Sequence, residues 1–431
     1  MFTALNRTRF VNTLAQLVAL GPRLQNAPSA HLIPEEVLAC DVVESLLAPL
    51  QTAGFATLTR YSAPGQESRP CLVVTVPGTQ SGSIAFVGAH FDVVPADREK
   101  EQWLTDPFKL SVDSDGTLRG RGVTDCLGHV ALLAEMLLEL FSNGKRPKQT
   151  LHIVMIANEE ERAIPGIGLE YVGDCGALEP LKEGPIYWLD SADFGPTLGT
   201  GGIATWDLQA KGVPGHSGMP HNCVNALELA MAAVQALVAW FAEQVPPHPD
   251  EVRWHFSSPS SCKPTIVECE NNKITKIPGL ARVLGDMRIT PFYDAGSILK
   301  KAIKFVGALN EQIQCQDTLS GFPRTRTVGG QTGRIELLSE GKLSEGIACN
   351  LDSPGLSALT RAIAKVRGQA RVTPYSMTGS LPLVRDLQRR GFDVQITGFG
   401  ESRSYHAPNE AAQLSDFEDG LRILGELIEI A

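Results

Sequence analysis

His90 and Asp92, in the segment IAFVGAHFDVVPA, are the residues whose types and spacing first indicate chemistry. Residues 84–89 are apolar and predict a β-strand, so the pair stands where sheet edges open into a ligand crevice. With one residue between them, both side chains lie on the same face of the strand. A metal-binding imidazole commonly donates its other N–H to a carboxylate or a carbonyl. The pair alone is more typical of a hydrogen-bonded histidine at a strand end, so partners at other strand ends decide the interpretation.

Further candidate ligands recur where apolar segments meet polar loops. Asp125 stands between a glycine-rich turn and an apolar helix, and glutamates 159–161 end the strand LHIVMIAN. Asp190 and Asp193 follow the apolar segment GPIYWL, and His406 lies in a loop after FDVQITGF. Imidazole and carboxylate ligands without thiolates suit Zn²⁺, Mn²⁺ or Co²⁺. Two histidines with three or more carboxylates are more ligands than one ion needs, so a shared carboxylate could bridge two metals about 3.5–4 Å apart.

After about residue 83, the chain resembles the M20 family of dinuclear metallohydrolases, and within it the acetylornithine deacetylase branch. The resemblance follows family order through HFDVVPA, DPFKL, DGTLRGRGVTDCLGH, ANEEE, GTGGIATWDLQAKGVPGHSG, GDMRITPFYD, ACNLDSPG, TGSLPLVRDLQRRGFDVQ and YHAPNE. It implies an α/β, zinc-peptidase-like catalytic domain in which a mixed sheet is flanked by helices. It also implies an inserted ferredoxin-like α+β dimerisation domain.

The resemblance also implies a role for each candidate residue in the catalytic domain. The implied metal ligands are His90, Asp125, Glu160, Asp190 and His406. In this arrangement Asp125 bridges the two metals, Asp92 orients His90, and Glu159 is the general base. The Ala-Asn before the three glutamates fixes this frame, and Glu161 is then solvated. Asp193 stays an alternative to Asp190 because both occupy one loop, and Asp190 is preferred because it directly follows the strand.

Hydrolysis of an amide explains why these residue types would be needed. The reaction requires a nucleophile at neutral pH, and divalent cations lower the pKa of bound water from 15.7 toward about 7. A carboxylate beside that water can take its proton and later hand it to the leaving nitrogen, which is the role predicted for Glu159. A cation also polarises the scissile carbonyl and stabilises the oxyanion. The expected cofactors are two divalent metal ions, with Zn²⁺ favoured and Co²⁺ or Mn²⁺ as alternatives.

The inserted segment carries further candidates. His216, in a glycine-rich loop, is by type alone more often structural or exposed, but the resemblance implies that it is presented across a dimer interface to stabilise the oxyanion. At Arg288 the resemblance implies a substrate carboxylate, which a guanidinium fork matches in bidentate fashion. The loop SMTGSLP resembles the substrate-facing loop of the family, which implies that Gly379 and Ser380 line the substrate pocket. Thr275 stands where the family commonly has an asparagine, and this departure bears on substrate identity more than on the metals.

The pattern of elements predicts how these residues are brought together. Alternating helical and strand-like segments predict an α/β sheet; they are helices at 35–53 and 127–141 and strands at 55–62, 70–77, 84–90 and 151–157. The pattern then changes to helices at about 224–245 and 296–313 with strands between, the β-α-β-β-α-β order of ferredoxin-like domains. His406 follows this segment and the other ligands precede it, so the site closes only if both ends of the chain share one domain. We therefore predict a catalytic domain of residues 1–201 and 347–431, with residues 202–346 inserted.

Composition limits the classes of function. The chain has 431 residues, too long for one ordinary core. Its net charge of −10 without a basic stripe argues against nucleic acid as a partner. Nine cysteines without a C-x-x-C pair make a disulfide framework improbable and fit the cytosol. No apolar stretch reaches the ~18 residues of a membrane span. The N-terminus predicts an amphipathic helix, and an organellar presequence remains an alternative.

The sequence therefore predicts a cytoplasmic, homodimeric metalloamidase of amino-acid metabolism that removes the acyl group of an N-acyl amino acid. The substrate that the resemblance implies is N²-acetylornithine, which yields ornithine and acetate and would place the reaction in arginine biosynthesis. One alternative is a carboxypeptidase or dipeptidase with the same dinuclear site. A non-catalytic metal-binding homologue is a third possibility, because a chain can keep a fold without its activity.

Overall fold

The computed structural model describes residues 2, 4–161, 166–270, 273–316, 319–339, 341–381 and 383–430. Numbered along the chain, the helices are α1 Arg7–Ala19, α2 Gly21–Leu24, α3 Val37–Thr52, α4 Leu127–Ser142, α5 Leu169–Asp174, α6 Ala226–Gln244, α7 Asp250–Arg253, α8 Ala295–Cys315, α9 Pro354–Arg367, α10 Val384–Arg389 and α11 Leu414–Ile430. The strands are β1 Thr57–Tyr61, β2 Cys71–Val76, β3 Ser83–His90, β4 Ser111–Val112, β5 Thr117–Arg119, β6 Thr150–Ile156, β7 Pro185–Leu189, β8 Thr197–Thr200, β9 Gly202–Lys211, β10 Gly215–His216, β11 Ser261–Cys269, β12 Lys276–Ile277, β13 Leu280–Ile289, β14 Arg334–Leu338, β15 Leu343–Ser344, β16 Tyr375–Met377, β17 Asp393–Thr397 and β18 Ala411–Gln413.

The chain divides into two compact units. The first consists of Met1–Leu198, Cys349–Tyr375 and Pro382–Ala431, and the second consists of Gly199–Ala348 and Ser376–Leu381. The second unit therefore interrupts the first in sequence. The predicted division differs from this one at residues 199–201, 347–348 and 376–381, all of which it assigned to the catalytic domain.

The first unit is built on a mixed sheet with the strand order β1-β2-β6-β3-β7-β17. Strands β6, β3, β7 and β17 run parallel to one another, whereas β2 is antiparallel to both β1 and β6. Helix α4 packs against β3 and against α1, α3 and α11, while α9 packs against β7 and β17. A mixed sheet flanked by helices is the architecture that the alternating pattern predicts.

The apolar composition of β3 and α4 explains their central places. Every residue of β3 is buried, and most of α4 is buried as well. A strand buried on both faces has a continuous apolar sequence, and a helix that is apolar all round lies inside a core. The amphipathic first helix is also present, as α1, and it buries Phe10, Leu14 and Leu17 in the same core.

A bulge near the end of β3 shapes the approach to His90. The pairing of β3 with β6 shifts register between Val87 and His90, and Gly88 has a φ of 100°. A Cβ on Gly88 would lie 2.6 Å from the indole ring of Trp188. Glycine is needed here for both reasons, because other residues rarely adopt positive φ and none would fit beneath the indole.

The second unit contains an antiparallel sheet covered by two long helices. Its strand order is β11-β13-β9-β14, and β15 pairs with β9. Helix α6 packs against β9, β11 and β13, and α8 packs against β9 and β14. The order β9-α6-β11-β13-α8-β14 is the predicted β-α-β-β-α-β arrangement. A role for this unit in dimerisation stays a prediction.

Helix α6 is long and apolar enough to cross a membrane by length and composition alone. It buries one face in the core of the second unit, through Ala226, Leu229, Ala230, Ala233, Val234, Leu237 and Phe241. These contacts are those of a core helix.

Candidate metal centre

The parallel strands of the first unit place the predicted ligands at one edge of the sheet. His90 is the last residue of β3, and Asp190 directly follows β7. Glu159 and Glu160 lie in the turn after β6, and His406 lies in the loop after β17. Because the carboxyl ends of parallel strands meet at one edge, residues far apart in sequence converge there.

Asp125 lies between the two imidazoles. Its Oδ1 is 3.0 Å from Nε2 of His90, and its Oδ2 is 3.1 Å from Nε2 of His406. Glu160 Oε2 is 3.2 Å from the same nitrogen of His406. Asp190 Oδ1 is 3.8 Å from His90 Nε2, and Glu159 Oε2 is 3.9 Å from it. The two oxygens of the Asp125 carboxylate therefore face different imidazoles, which is the geometry that a bridging ligand requires.

The donor set fits two divalent cations. His90 with Asp125 and Glu160, and His90 with Cys126 and Asp190, each place three ligand atoms within 4.8 Å of one another. Four carboxylates surround the two imidazoles; they are Asp125, Glu159, Glu160 and Asp190. When ionised they carry −4, which the charge of two divalent ions balances. Buried carboxylates without compensating charge are costly, so the arrangement favours cation binding.

The same crowding perturbs the pKa values of these groups. Burial raises the pKa of Glu159 well above its ordinary value, and the Asp190 carboxylate raises it further. Burial, followed by the charge of Asp125, raises the pKa of Glu160 to about 7. Hydrogen bonds to Asp125 and then Glu160 raise the pKa of His406 to about 11. Perturbed groups gathered at one sheet edge are typical of a functional site.

Asp92 contacts His90 differently from the predicted orienting carboxylate. Nδ1 of His90 lies 2.8 Å from the main-chain oxygen of Asp92, whereas the Asp92 Oδ1 is 3.6 Å away. The Asp92 carboxylate instead accepts hydrogen bonds from the amides of Glu159 and Glu160 and from Asn26 Nδ2, at 3.2, 3.0 and 2.7 Å. Asp92 thus holds the glutamate turn through its side chain and His90 through its backbone.

The alternatives in the Asp190 loop and in the glutamate run make different contacts. Asp193 accepts hydrogen bonds from the amide and hydroxyl of Ser402, whereas Asp190 faces His90. In the glutamate run, Glu160 faces His406, and Glu159 lies nearer His90. These contacts agree with the predicted frame, and Asp190 and Glu160 as ligands stay a prediction.

Cys126 and Asn26 lie at the site and were missed by sequence reasoning. Cys126 follows Asp125 and places its thiol near His90 and Asp190; its Sγ also lies 3.3 Å from Nδ1 of His129. Its position within the motif TDCLGH was a usable signal. Asn26, which bonds the Asp92 carboxylate, lies before the part of the chain that resembles the family, so no motif could have indicated it.

The remaining candidates lie in the second unit. His216 is exposed on β10, which pairs with β12, and its Nδ1 accepts a hydrogen bond from the amide of Gly218 at 2.9 Å. The carbonyl of Thr275 accepts from the amide after His216 at 3.0 Å. Arg288 lies on β13, and its Nε donates to Asp286 at 3.2 Å. Gly379 accepts from the amide of Gly201 at 2.8 Å, and Ser380 follows it, partly exposed.

Comparisons with known proteins cover nearly the whole chain. Acetylornithine deacetylase from Arabidopsis thaliana is 41% identical over 436 residues, which span 99% of this chain and 97% of the relative. Acetylornithine deacetylase from Dictyostelium discoideum is 39% identical over 439 residues, with the same coverage of 99% and 97%.

Solved structures share the fold at lower identity. A di-peptidase from Saccharomyces cerevisiae has a TM-score of 0.73 at 17% identity, covering 98% of this chain and 95% of the other. A Bacillus subtilis protein described as a dinuclear metal-binding peptidase of the M20 family has a TM-score of 0.58 at 14% identity, covering 98% of both chains. Residues 86–430 match the sequence profile of peptidase family M20/M25/M40. The chain therefore belongs to peptidase family M20/M25/M40.

Proposed function

We propose that this protein is a metal-dependent amidohydrolase that converts N²-acetylornithine to ornithine and acetate. The observation that carries the proposal is the cluster of four buried carboxylates, the buried imidazole of His90 and the exposed imidazole of His406 at the carboxyl edge of the sheet. The substrate is proposed from the two relatives named acetylornithine deacetylase, which match over nearly the full length of both chains. The reaction would belong to amino-acid metabolism, at a step of arginine biosynthesis.

In the proposed mechanism, the protein positions the reacting groups and moves one proton. Divalent cations, when bound, would lower the pKa of a water and polarise the scissile carbonyl. Glu159 takes the proton of that water on its carboxylate and returns it to the leaving nitrogen. Burial and the charge of Asp190 raise the pKa of Glu159, whereas bound cations would lower it and keep the carboxylate ionised, as a base must be. The Asp92 carboxylate holds the amide of Glu159 at 3.2 Å and so fixes the base.

Two Zn²⁺ ions are the proposed cofactors. His90 and Asp190 would hold one ion, Glu160 and His406 the other, and Asp125 both. Imidazole and carboxylate donors suit Zn²⁺, and Co²⁺ and Mn²⁺ accept the same donors. Metal analysis of the purified protein shows which of these ions it binds.

For the substrate, we propose that Arg288 binds the carboxylate of the amino acid. A guanidinium pairs with a carboxylate through parallel N–H groups, and the Nε contact with Asp286 orients this one. Gly379 and Ser380 are proposed to line the pocket that holds the side chain.

We further propose that the protein is a cytoplasmic homodimer in which His216 serves the partner subunit. Strand β11 is an edge strand that exposes nearly all its residues, including Ile266 at 53% and Val267 at 63%. An exposed apolar edge is an available pairing surface. His216 is exposed, and because its Nδ1 accepts a hydrogen bond, its proton lies on Nε2, ready to donate to an oxyanion. The cytoplasmic location is supported by nine free thiols.

The substrate proposal is tested by measuring amine release from a panel of N-acyl amino acids and dipeptides. Metal-free protein is reconstituted with Zn²⁺ or Co²⁺, and metal-free protein is the control. Fastest turnover of N-acetylornithine supports the proposal, whereas a preference for dipeptides would assign a peptidase activity. Absence of turnover despite two bound metals would favour the non-catalytic homologue.

A further inference from the structure

Glu410 is a fully buried carboxylate that lies outside the predicted ligand set. Its Oε2 accepts hydrogen bonds from Nη1 of Arg121 at 2.8 Å and from the amide of Gly122 at 3.0 Å. Its Oε1 accepts from the amides of Thr124 and Asp125 at 2.9 and 3.0 Å. Four donors from five consecutive residues thus converge on one side chain.

These contacts join two loops that are distant in sequence. Glu410 ends the loop that carries His406, and the next residues form β18, which pairs with β5 just before Arg121. Two further bonds hold the same junction. The hydroxyl of Thr124 donates to the carbonyl of residue 411 at 2.9 Å, and the amide of Gly120 donates to the carbonyl of Glu410 at 3.1 Å. The loop of Asp125 and the loop of His406 are therefore hydrogen-bonded to each other beside the site.

We propose that Glu410 is a positioning residue that sets the affinity of the centre for its cations. By fixing the main chain of Asp125 relative to the loop of His406, it places the Asp125 carboxylate between the two imidazoles. The observed separations of 3.0 and 3.1 Å depend on that placement. This inference rests on the proposed metal site.

The chemistry of the junction requires a carboxylate of this length. Each oxygen accepts two hydrogen bonds, and the charge neutralises Arg121, of which only 1% is exposed. A glutamine would turn an N–H₂ group toward two donors and would leave the guanidinium without its counter-charge. An aspartate keeps the charge, but it is one methylene shorter and cannot reach all four donors together.

The test is calorimetric titration of metal-free Glu410→Gln and Glu410→Asp with Zn²⁺, beside the wild-type protein. Both variants are expected to bind at least one of the two ions about 10- to 100-fold more weakly, the loss found when residues that orient metal ligands are replaced. The absorption spectrum of the Co²⁺-loaded variants is expected to change as well, because the ligand geometry changes. If Glu410→Gln fails to fold, Glu410→Asp carries the test, since it retains the charge.

The control is Leu427→Ala, which truncates a buried side chain near the C-terminal end of α11, in the same unit and outside both loops. It should lower thermal stability while leaving both Zn²⁺ affinities and the Co²⁺ spectrum as in the wild type. Wild-type affinities in the Glu410 variants would overturn the proposal. So would an equal loss of affinity in Leu427→Ala, because the effect would then follow stability. If the wild-type protein itself bound no Zn²⁺, the proposed metal site would fail together with this inference.

Discussion

At the scale of single residues, Glu159 is the group on which the proposed chemistry depends most. Glu159→Gln keeps the size of the side chain but removes its ability to take a proton, so turnover is expected to fall about 10²–10⁴-fold. Metal content should stay at two ions, because the proposed ligands are unchanged. Amine release and metal analysis on the same preparation check both points. Normal turnover would exclude Glu159 as the base, and loss of an ion would make it a ligand.

Asp190 and Asp193 form a matched pair within one loop. Asp190 Oδ1 lies 3.8 Å from His90 Nε2, whereas Asp193 bonds Ser402. Asp190→Asn is therefore expected to weaken binding of one Zn²⁺ by about 10-fold or more, since an amide carries no charge. Asp193→Asn should bind both ions like the wild type. Calorimetric titration of the two variants with Zn²⁺ measures both affinities. Weaker binding in Asp193→Asn alone would identify Asp193 as the ligand.

How far the site could be predicted depends on whether a residue interacts locally or through tertiary contacts. His90 and Asp190 could be predicted because each stands where an apolar strand meets a polar residue, a pattern visible in the sequence. The contact of His90 with the carbonyl of Asp92 could not, because it depends on how the backbone turns after β3. Asn26 and Glu410 were missed for a related reason, since their partners lie 66 and 285 to 289 residues away.

At the scale of elements, a hydrogen bond of His129 connects helix α4 to the segment after β17. Its Nε2 accepts the amide N–H of Phe399 at 2.8 Å, so its proton lies on Nδ1, toward Cys126. Burial lowers the pKa of this imidazole from 6.5 to about 4. Between these values the unfolded chain binds a proton that the folded chain does not bind. Its contribution to stability is therefore complete above about pH 6.5 and is lost as the pH falls toward 4.

His129→Gln should reduce this pH dependence, because glutamine can accept the Phe399 amide without titrating. Between pH 7 and pH 5, the free energy of unfolding of the metal-free variant should fall by about 2 kcal/mol less than that of the wild type. Urea unfolding at both pH values measures the difference. His221→Gln, at an exposed position, is the control and should follow the wild type. An equal fall in His129→Gln and wild type would contradict the assignment.

The elements also show which features of the fold a sequence can predict. The helix predicted at 35–53 is α3, Val37–Thr52, and the strand predicted at 84–90 is β3, Ser83–His90. Both patterns are clear in the sequence. Helix α3 buries one face, and every residue of β3 is buried. The bulge at Gly88 and the two- and three-residue strands of the small β18-β5-β4 sheet were not predicted. Such short elements depend on tertiary pairing and leave no periodic pattern.

At the scale of the whole molecule, the proposed dimer predicts that each active site needs residues from both subunits. His216 lies in the second unit, and the proposed metal ligands and Glu159 lie in the first. If His216 acts within its own subunit, two defective subunits can never form a working site. If it acts on the partner, a subunit that keeps Glu159 can be completed by a partner that keeps His216.

Mixing two inactive variants distinguishes these cases. Glu159→Gln and His216→Ala are each expected to lose most turnover with both metals retained. When the two are unfolded together and refolded as mixed dimers, the His216→Ala subunit supplies Glu159 and receives His216 from its partner. One of the two sites in each mixed dimer is then complete, so random pairing should restore about a quarter of the wild-type activity per subunit, since half the dimers are mixed. Each variant refolded alone is the control. Activity no higher than in the controls, with mixed dimers present, would place His216 in its own subunit's site or outside the reaction.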